Sequence, residues 1–427
     1  MSDLVTHSKE PLNAEPKPQD LVKNDVTPVN LFYHRNHGPV PRDAEEAFRQ
    51  GSEGLGSWEV VLEIEDGVLD GASVSKRVTL AQLQDKYETV EEDIALQCAG
   101  NRRDLFSHTN PPTEGIPWQE STIANIIWKG CLLRSVLVDL FPRLEEKSDE
   151  EWHVIFESSQ DCGEDEGGVF GGSIPRKIAL DSTVPVLLAW QQDGEQLTLQ
   201  HGAPLRVVVP GIIGARSIKW LRKIIISRKP SQHHAQQQDY KSIPYPPFKE
   251  APSSEEKAKL MAQTEPMNWS PLQCVITKAK MKVQEVGDGG SEGNEGGAVK
   301  ILLKGYGLGE KGVPLTEVDI FFLTLPSDQP YNPSLDEELT KQAAAKSGEA
   351  KRVKIASAAG KKNWGWNLWE AEVALDDLHA MTGGVTQGQI VAVAKAIDAN
   401  GREQTRWPDW NLRGVGFDGW SVKLVEA

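Results

Sequence analysis

A single thiol, Cys98, stands in the octapeptide Leu96-Gln97-Cys98-Ala99-Gly100-Asn101-Arg102-Arg103. It is followed by a glycine that lets the backbone turn, an amide and two adjacent guanidinium groups. Nearby positive charge lowers a thiol's pKa, and a soft thiolate suits a metal that also carries oxo groups. The pattern reads as a metal-ligating thiolate beside an anion clamp. A lone cysteine is more often an inert buried side chain. Two arginines next to a buried thiol, however, are costly unless anions pair with them.

Charge sharpens the reading. Lys plus Arg number 46 against 62 for Asp plus Glu, a net charge of −16. That imbalance argues against nucleic acid or an anionic membrane as partner. Yet Arg35, Arg102, Arg103, Arg206, Arg216, Lys219 and Arg413 concentrate in short loops, many beside Gly or Pro. Bulk charge is screened over roughly 8 Å at physiological salt, so a pocket can hold an anion that the whole surface repels.

The elements that must position these residues are of mixed type. A chain of 427 residues with 39% apolar content is long enough for two or three domains. The segments Trp58–Ile64, Glu92–Gln97, Trp152–Glu157 and Leu205–Val209 read as strands, with Cys98 at a strand end. Leu80–Tyr87 and Trp128–Phe141 have helical spacing, and Pro185–Trp190 reads as a buried strand or short helix. Residues 1–24 read as a disordered lead-in, Gly163–Gly172 as a glycine- and acid-rich loop, and Ser231–Glu265 as an irregular connector. Beyond it, strands are expected at Cys274–Thr277, Val299–Lys304, Val318–Thr324, Trp366–Val373, Gln389–Ile397 and Trp420–Val425, an Ig-like antiparallel sandwich. Gly287–Gly297 reads as a hairpin tip and residues 331–352 as a mobile charged insertion. Without regular βαβ alternation or GxGxxG, the first domain (residues 25–265) is expected to be α+β and the second (266–427) all-β.

The four cysteines, Cys98, Cys131, Cys162 and Cys274, show no CxxC or disulfide-rich spacing, which favours a reducing compartment. No apolar run of about 18 residues marks a membrane span. Met1–Asn24 lacks signal-peptide or presequence character, and Val425-Glu426-Ala427 is no peroxisomal tripeptide. A cytoplasmic location is the expectation that remains.

The Cys98 octapeptide resembles the molybdenum-ligand segment of the sulfite oxidase family, which also includes the molybdenum domain of eukaryotic nitrate reductases. Further matches follow in the family's order: Arg35-Asn36-His37-Gly38-Pro39-Val40-Pro41, Ile116-Pro117-Trp118, Gly172-Ser173-Ile174-Pro175 and the run from His201 to Gly211. Gly214 to Leu221, Asp239-Tyr240-Lys241 and Trp410-Asn411-Leu412-Arg413-Gly414-Val415 complete the set, which spans residues 31–415. The resemblance implies a sulfite-oxidase-type molybdopterin domain followed by an Ig-like dimerisation domain. Departures cluster in the second domain and in the loop from Asp161 to Gly172.

It also implies a cofactor, molybdenum-molybdopterin, with Cys98 as the protein ligand to the metal. Arg35, Arg103 and Arg413 match the substrate-anion arginines, with Trp118 and Tyr240 completing that pocket. Cofactor contacts fall to Tyr33, His34, Arg35, Asn36, His37, Asp161, His201, Arg206, Ser217, Ile218 and Lys219. Taken singly, His37 and His201 would be structural histidines, Trp118 packing, and Tyr240 an ordinary aromatic. The implied reaction is oxo transfer to sulfite giving sulfate, with electrons leaving to an external acceptor, oxygen or a carrier. His-Pro-Gly-Gly is absent, and no heme or flavin is expected. The alternatives are a nitrate reductase-like enzyme and a non-catalytic molybdopterin-binding protein.

Overall fold

Among the described residues, two five-stranded sheets form the first part of the molecule and two antiparallel sheets the last. The structure is a computed structural model that describes residues 4–68, 73–108, 113–146, 151–164, 167–243, 253–283, 299–355, 363–374, 377–378 and 388–426. No helix among them is long and apolar enough to cross a membrane.

The first sheet runs Glu195–Gln196, Leu187–Gln192, Ile123–Leu132 and Val90–Gln97, with Arg206–Val208 added to Leu187–Gln192. Val90–Gln97 alternates toward solvent at first and is wholly buried from Ile94 onward. Its ladder with Ile123–Leu132 is followed by one last bond, from the Cys98 amide to the Thr122 carbonyl at 2.9 Å. Cys98 therefore sits at a strand end, as expected. The second sheet runs Val74–Thr79, Glu59–Ile64, Leu221–Ser227, His153–Asp161 and Val169–Pro175. Leu221–Ser227 lies parallel to Glu59–Ile64 and antiparallel to His153–Asp161, so the sheet is mixed, in keeping with an α+β domain.

Several sequence expectations are corrected. Residues 123–132 form a strand, and only Leu133–Leu140 is helical, because pairing with Val90–Gln97 overrides the helical spacing from Trp128. The lead-in is ordered from Leu4: Leu4–Lys9 and Leu12–Pro16 form a hairpin, followed by a short helix at Pro18–Leu21. Two of its polar residues, Asn13 and Glu15, are buried. Glu15, fully buried, accepts from the Gln119 and Ser121 amides at 2.9 and 3.1 Å and pairs with His7 at 2.9 Å. The connector holds a π-helical turn, Ala235–Asp239, and a helix, Ser254–Gln263, started by a Ser253–Glu256 capping box. The glycine-rich loop becomes strand from Val169.

In the last part, Gln273–Val283, Val299–Leu308 and Asn367–Ala374 make one sheet. Lys351–Lys354, Leu315–Leu325, Gln389–Asp398 and Ser421–Leu424 make the other. Ile276, Leu303, Phe322 and Ala394 share one core between them. Residues 331–352, expected to be mobile, carry the helix Asp336–Ala345, whose Leu339 and Ala343 are buried against the sheet, which orders it. The proposed hairpin tip at 287–297 lies outside the described residues.

The two parts are bolted together behind Cys98. Arg102 donates to the Gly419 and Trp420 carbonyls at 2.7 and 3.1 Å and lies 4.5 Å over the Phe417 ring. Asn101 donates to the Tyr306 hydroxyl at 2.8 Å, which in turn donates to the Glu120 carbonyl at 2.8 Å.

The hairpin's weight in folding is measurable. Removing the Glu15 carboxylate strands two buried amides, at about 1–3 kcal/mol each. Glu15→Ala should therefore lower the unfolding free energy by roughly 2–5 kcal/mol, read as a lower urea midpoint at constant slope. An unmoved midpoint would show that the hairpin is ornamental.

Candidate active site

Cys98 opens onto a pocket lined by residues of both N-terminal sheets and the loops between them. Past the thiol the chain turns sharply: the Asn101 amide donates to the Cys98 carbonyl at 3.0 Å, and the Gly100 amide faces Sγ at 3.4 Å. The adjacent arginines part here. Arg102, at φ 65°, serves the C-terminal sheets. Arg103 lies back against the turn, donating to the carbonyls of Arg413 (3.0 Å), Gly414 (3.1 Å) and Ile116 (2.9 Å). A Cβ on Gly100 would fall 2.7 Å from Arg103 Nη2, so the close approach requires glycine. Burial pushes the Cys98 thiol up, while Arg103, Arg35 and the Gly100 amide pull it down.

Opposite the thiol is a cationic wall. Arg206 donates to the carbonyls of His201 (2.7 Å) and Ser217 (3.0 Å) and lies 4.9 Å over Trp128. Lys219 donates to the carbonyls of Arg35 (3.2 Å) and Gln200 (3.0 Å) and to Asn36 Oδ1. Gly202, at φ 108°, makes room for both, since a Cβ there would lie 3.0 Å from Lys219 Cβ and 3.2 Å from Arg206 Cβ. Burial moves Arg206 down to about 10, and burial, then Arg206 and Arg35, push Lys219 well down. Among the described residues these two cations hold neutral acceptors and no carboxylate. Beside them Phe32, His201 and His34 stack, at 4.0 and 4.7 Å between centroids. His201 Nε2 is buried without a well-formed hydrogen bond.

A hydrogen-bond chain leads away from the pocket. The Tyr240 hydroxyl meets His37 Nε2 at 2.7 Å, and Asp239 Oδ2 lies 3.8 Å from the same nitrogen. Asp239 pairs with Arg413, which also holds Glu114 at 2.9 Å. Burial, then Arg35, lowers His37 to about 3, and burial raises Tyr240. Near neutrality the pair is a protonated phenol hydrogen-bonded to a neutral imidazole, whose tautomer sets which of the two donates.

The structure brings Tyr33, Arg35, His37, Cys98, His201, Arg206, Ser217, Lys219 and Tyr240 together around one pocket. His34, Asn36 and Ile218 stand just behind: His34 stacks on His201, Asn36 accepts from Lys219, and Ile218 is buried with its carbonyl on the Val207 amide. Four expected site residues stand off the pocket's lining. Trp118 is fully buried behind the turn, edge-on to His7, rather than on the wall. Arg103 and Arg413 are engaged with protein carbonyls and carboxylates. Asp161 is exposed, its carboxylate capping its own loop at the Gly163 amide (2.9 Å), because its strand ends there. In its place the strand offers Ser158 and Gln160, and Phe170 comes from the neighbouring strand. Alternation along Trp152–Glu157, extended past its end, was the signal that could have found the first two.

The profile of the oxidoreductase molybdopterin binding domain matches residues 57–235. The sulfite oxidase of Arabidopsis thaliana is 33% identical over 99% of this chain and 93% of its own length. The mitochondrial sulfite oxidase of Homo sapiens is 32% identical over 98% of the chain, which spans 64% of the human protein. This chain belongs to the sulfite oxidase family. The fold extends further: the sulfane dehydrogenase SoxCD of Paracoccus pantotrophus superposes with a TM-score of 0.62 at 16% identity, over 99% of this chain and 86% of that one. The pocket suits the family's cofactor class on its own terms. Buried cations backed only by neutral acceptors, an under-bonded imidazole nitrogen and a soft thiol are complementary to an anionic, metal-bearing ligand.

His37 titration gives a test on the cofactor-free protein. An unfolded histidine titrates near 6.5 and the folded one near 3, so between those values the unfolded state binds the extra proton. As pH falls through that window, wild type should lose stability relative to His37→Gln by up to about 1.4 kcal/mol per pH unit. A pH-independent difference in urea midpoints would contradict a buried neutral His37.

Proposed function

We propose that the pocket holds molybdopterin with Cys98 as the protein ligand to molybdenum, and that the chain oxidises sulfite to sulfate. Sulfite and water give sulfate, two protons and two electrons, and the electrons pass to an external acceptor. The observation that carries this reading is the meeting of the Cys98 thiol, the Arg35 guanidinium and the cations Arg206 and Lys219 at one pocket.

The cofactor, when bound, supplies oxygen-atom transfer and the two-electron change, chemistry that no side chain provides. The rest falls to the chain. The protein's contribution to the metal is the Cys98 thiolate at the pocket wall. Arg206 and Lys219 hold the cofactor's anionic end, and their donors to backbone carbonyls keep them aimed at it. Arg35 holds the substrate anion, with Arg103 adding positive potential at Cys98 from behind the turn. Tyr240, restrained by His37, offers its hydroxyl for proton movement at the pocket wall. Arg413 keeps Asp239 ionised and in place beside His37. The same reading takes the C-terminal sheets as an Ig-like sandwich that pairs two copies of the chain.

Protein made in a host that synthesises the cofactor should contain molybdenum and reduce ferricyanide in a sulfite-dependent way. Cys98→Ser should abolish that turnover while its circular dichroism stays unchanged, because a hard hydroxyl replaces the soft ligand. Near-normal sulfite oxidation by Cys98→Ser would overturn the ligand assignment. Viologen-driven nitrate reduction without sulfite oxidation would move the reaction to nitrate.

A further inference from the structure

We infer that Asn13, on the N-terminal hairpin, is the positioning residue for the Arg35 guanidinium and sets how tightly the pocket holds a small oxyanion. The inference rests on the reading above, in which Arg35 binds the substrate.

Asn13 is only 2% exposed, and both ends of its amide are committed. Its Oδ1 accepts from the Asn36 amide at 3.0 Å and from Arg35 Nη1 at 3.3 Å. Its Nδ2 faces Ser8 Oγ (2.9 Å), the Pro11 carbonyl (3.0 Å) and the Asn36 carbonyl (3.2 Å). That Asn36 carbonyl is the second acceptor for Arg35 Nη1, at 2.6 Å. Asn13 therefore binds the guanidinium directly and also fixes the other oxygen that binds it. Reciprocal bonds between Ala14 and His34, at 3.0 and 2.8 Å, lock the hairpin in register with the segment carrying Arg35.

The residue type matters as much as the place. Lys219 donates to the Arg35 carbonyl at 3.2 Å, so a second cation stands close to the Arg35 backbone and repels its side chain. A freely rotating arginine would swing away from it. A carboxylate at position 13 would hold the guanidinium but neutralise the charge that an anion needs. A neutral amide oxygen orients it without adding a counter-charge of its own.

The test uses cofactor-loaded protein and steady-state sulfite oxidation, with sulfate as competitive inhibitor. Asn13→Asp should raise KM for sulfite and Ki for sulfate together, by about tenfold or more, with kcat within about twofold and molybdenum content unchanged. Asn13→Ser, which keeps a short acceptor, should raise KM about threefold. In an Arg35→Gln background the Asn13→Ser effect on KM should vanish, since the residue it orients is gone. A hairpin that merely aids folding would lower molybdenum content and kcat and leave KM alone, which would overturn the proposal. Unchanged KM in an active Asn13→Asp, or an undiminished Asn13 effect without Arg35, would overturn it as well. A molybdenum-loaded wild type that cannot oxidise sulfite would instead sink the functional reading on which it rests.

Discussion

Buried positive charge held by neutral oxygen is the constraint around which the molecule is arranged. Arg206 and Lys219 line the pocket and Arg103 lies against the turn behind it, all with carbonyl or amide acceptors. Like charges repel strongly in a low-dielectric interior, and burial disfavours each charged form. Carboxylates would relieve that tension and ruin the site for anions. Asp239, next to the pocket's Tyr240, is instead held by Arg413 beside His37. An anionic ligand therefore completes the charge balance that the protein leaves open.

Much of the surrounding architecture serves to present those neutral acceptors. The C-terminal return at Arg413 and Gly414 gives Arg103 two carbonyls, and Gly416 donates to the Ala99 carbonyl at 2.7 Å, clasping the Cys98 turn. The hairpin at the other end of the chain braces the 34–36 segment through Asn13 and Ala14. Glu15 fixes the strand entry at Gln119 and Ser121. Ala99 and Gly416, 317 positions apart in the sequence, thus meet at one turn.

Local chemistry was legible where it is encoded locally. Cys98 at a strand end and the separate antiparallel sheets of the second half follow from alternation, while the nine expected side chains that meet at the pocket were named by family resemblance. What escaped depends on partners distant in sequence. The polar lead-in reads as solvated until Gln119 and Ser121 appear as donors to Glu15. Arg102 and Arg103 are adjacent and identical in type, yet a left-handed residue sends one to Trp420 and keeps the other at the thiol. Trp128 looks helical because its neighbours repeat every three or four residues, and only strand pairing decides otherwise.

The most direct test is molybdenum X-ray absorption on cofactor-loaded protein, counting sulfur neighbours in wild type and Cys98→Ser. If the thiolate is a ligand, the variant shows one fewer sulfur at the metal. An identical sulfur count in the two proteins would mean that Cys98 faces the pocket without binding what lies in it.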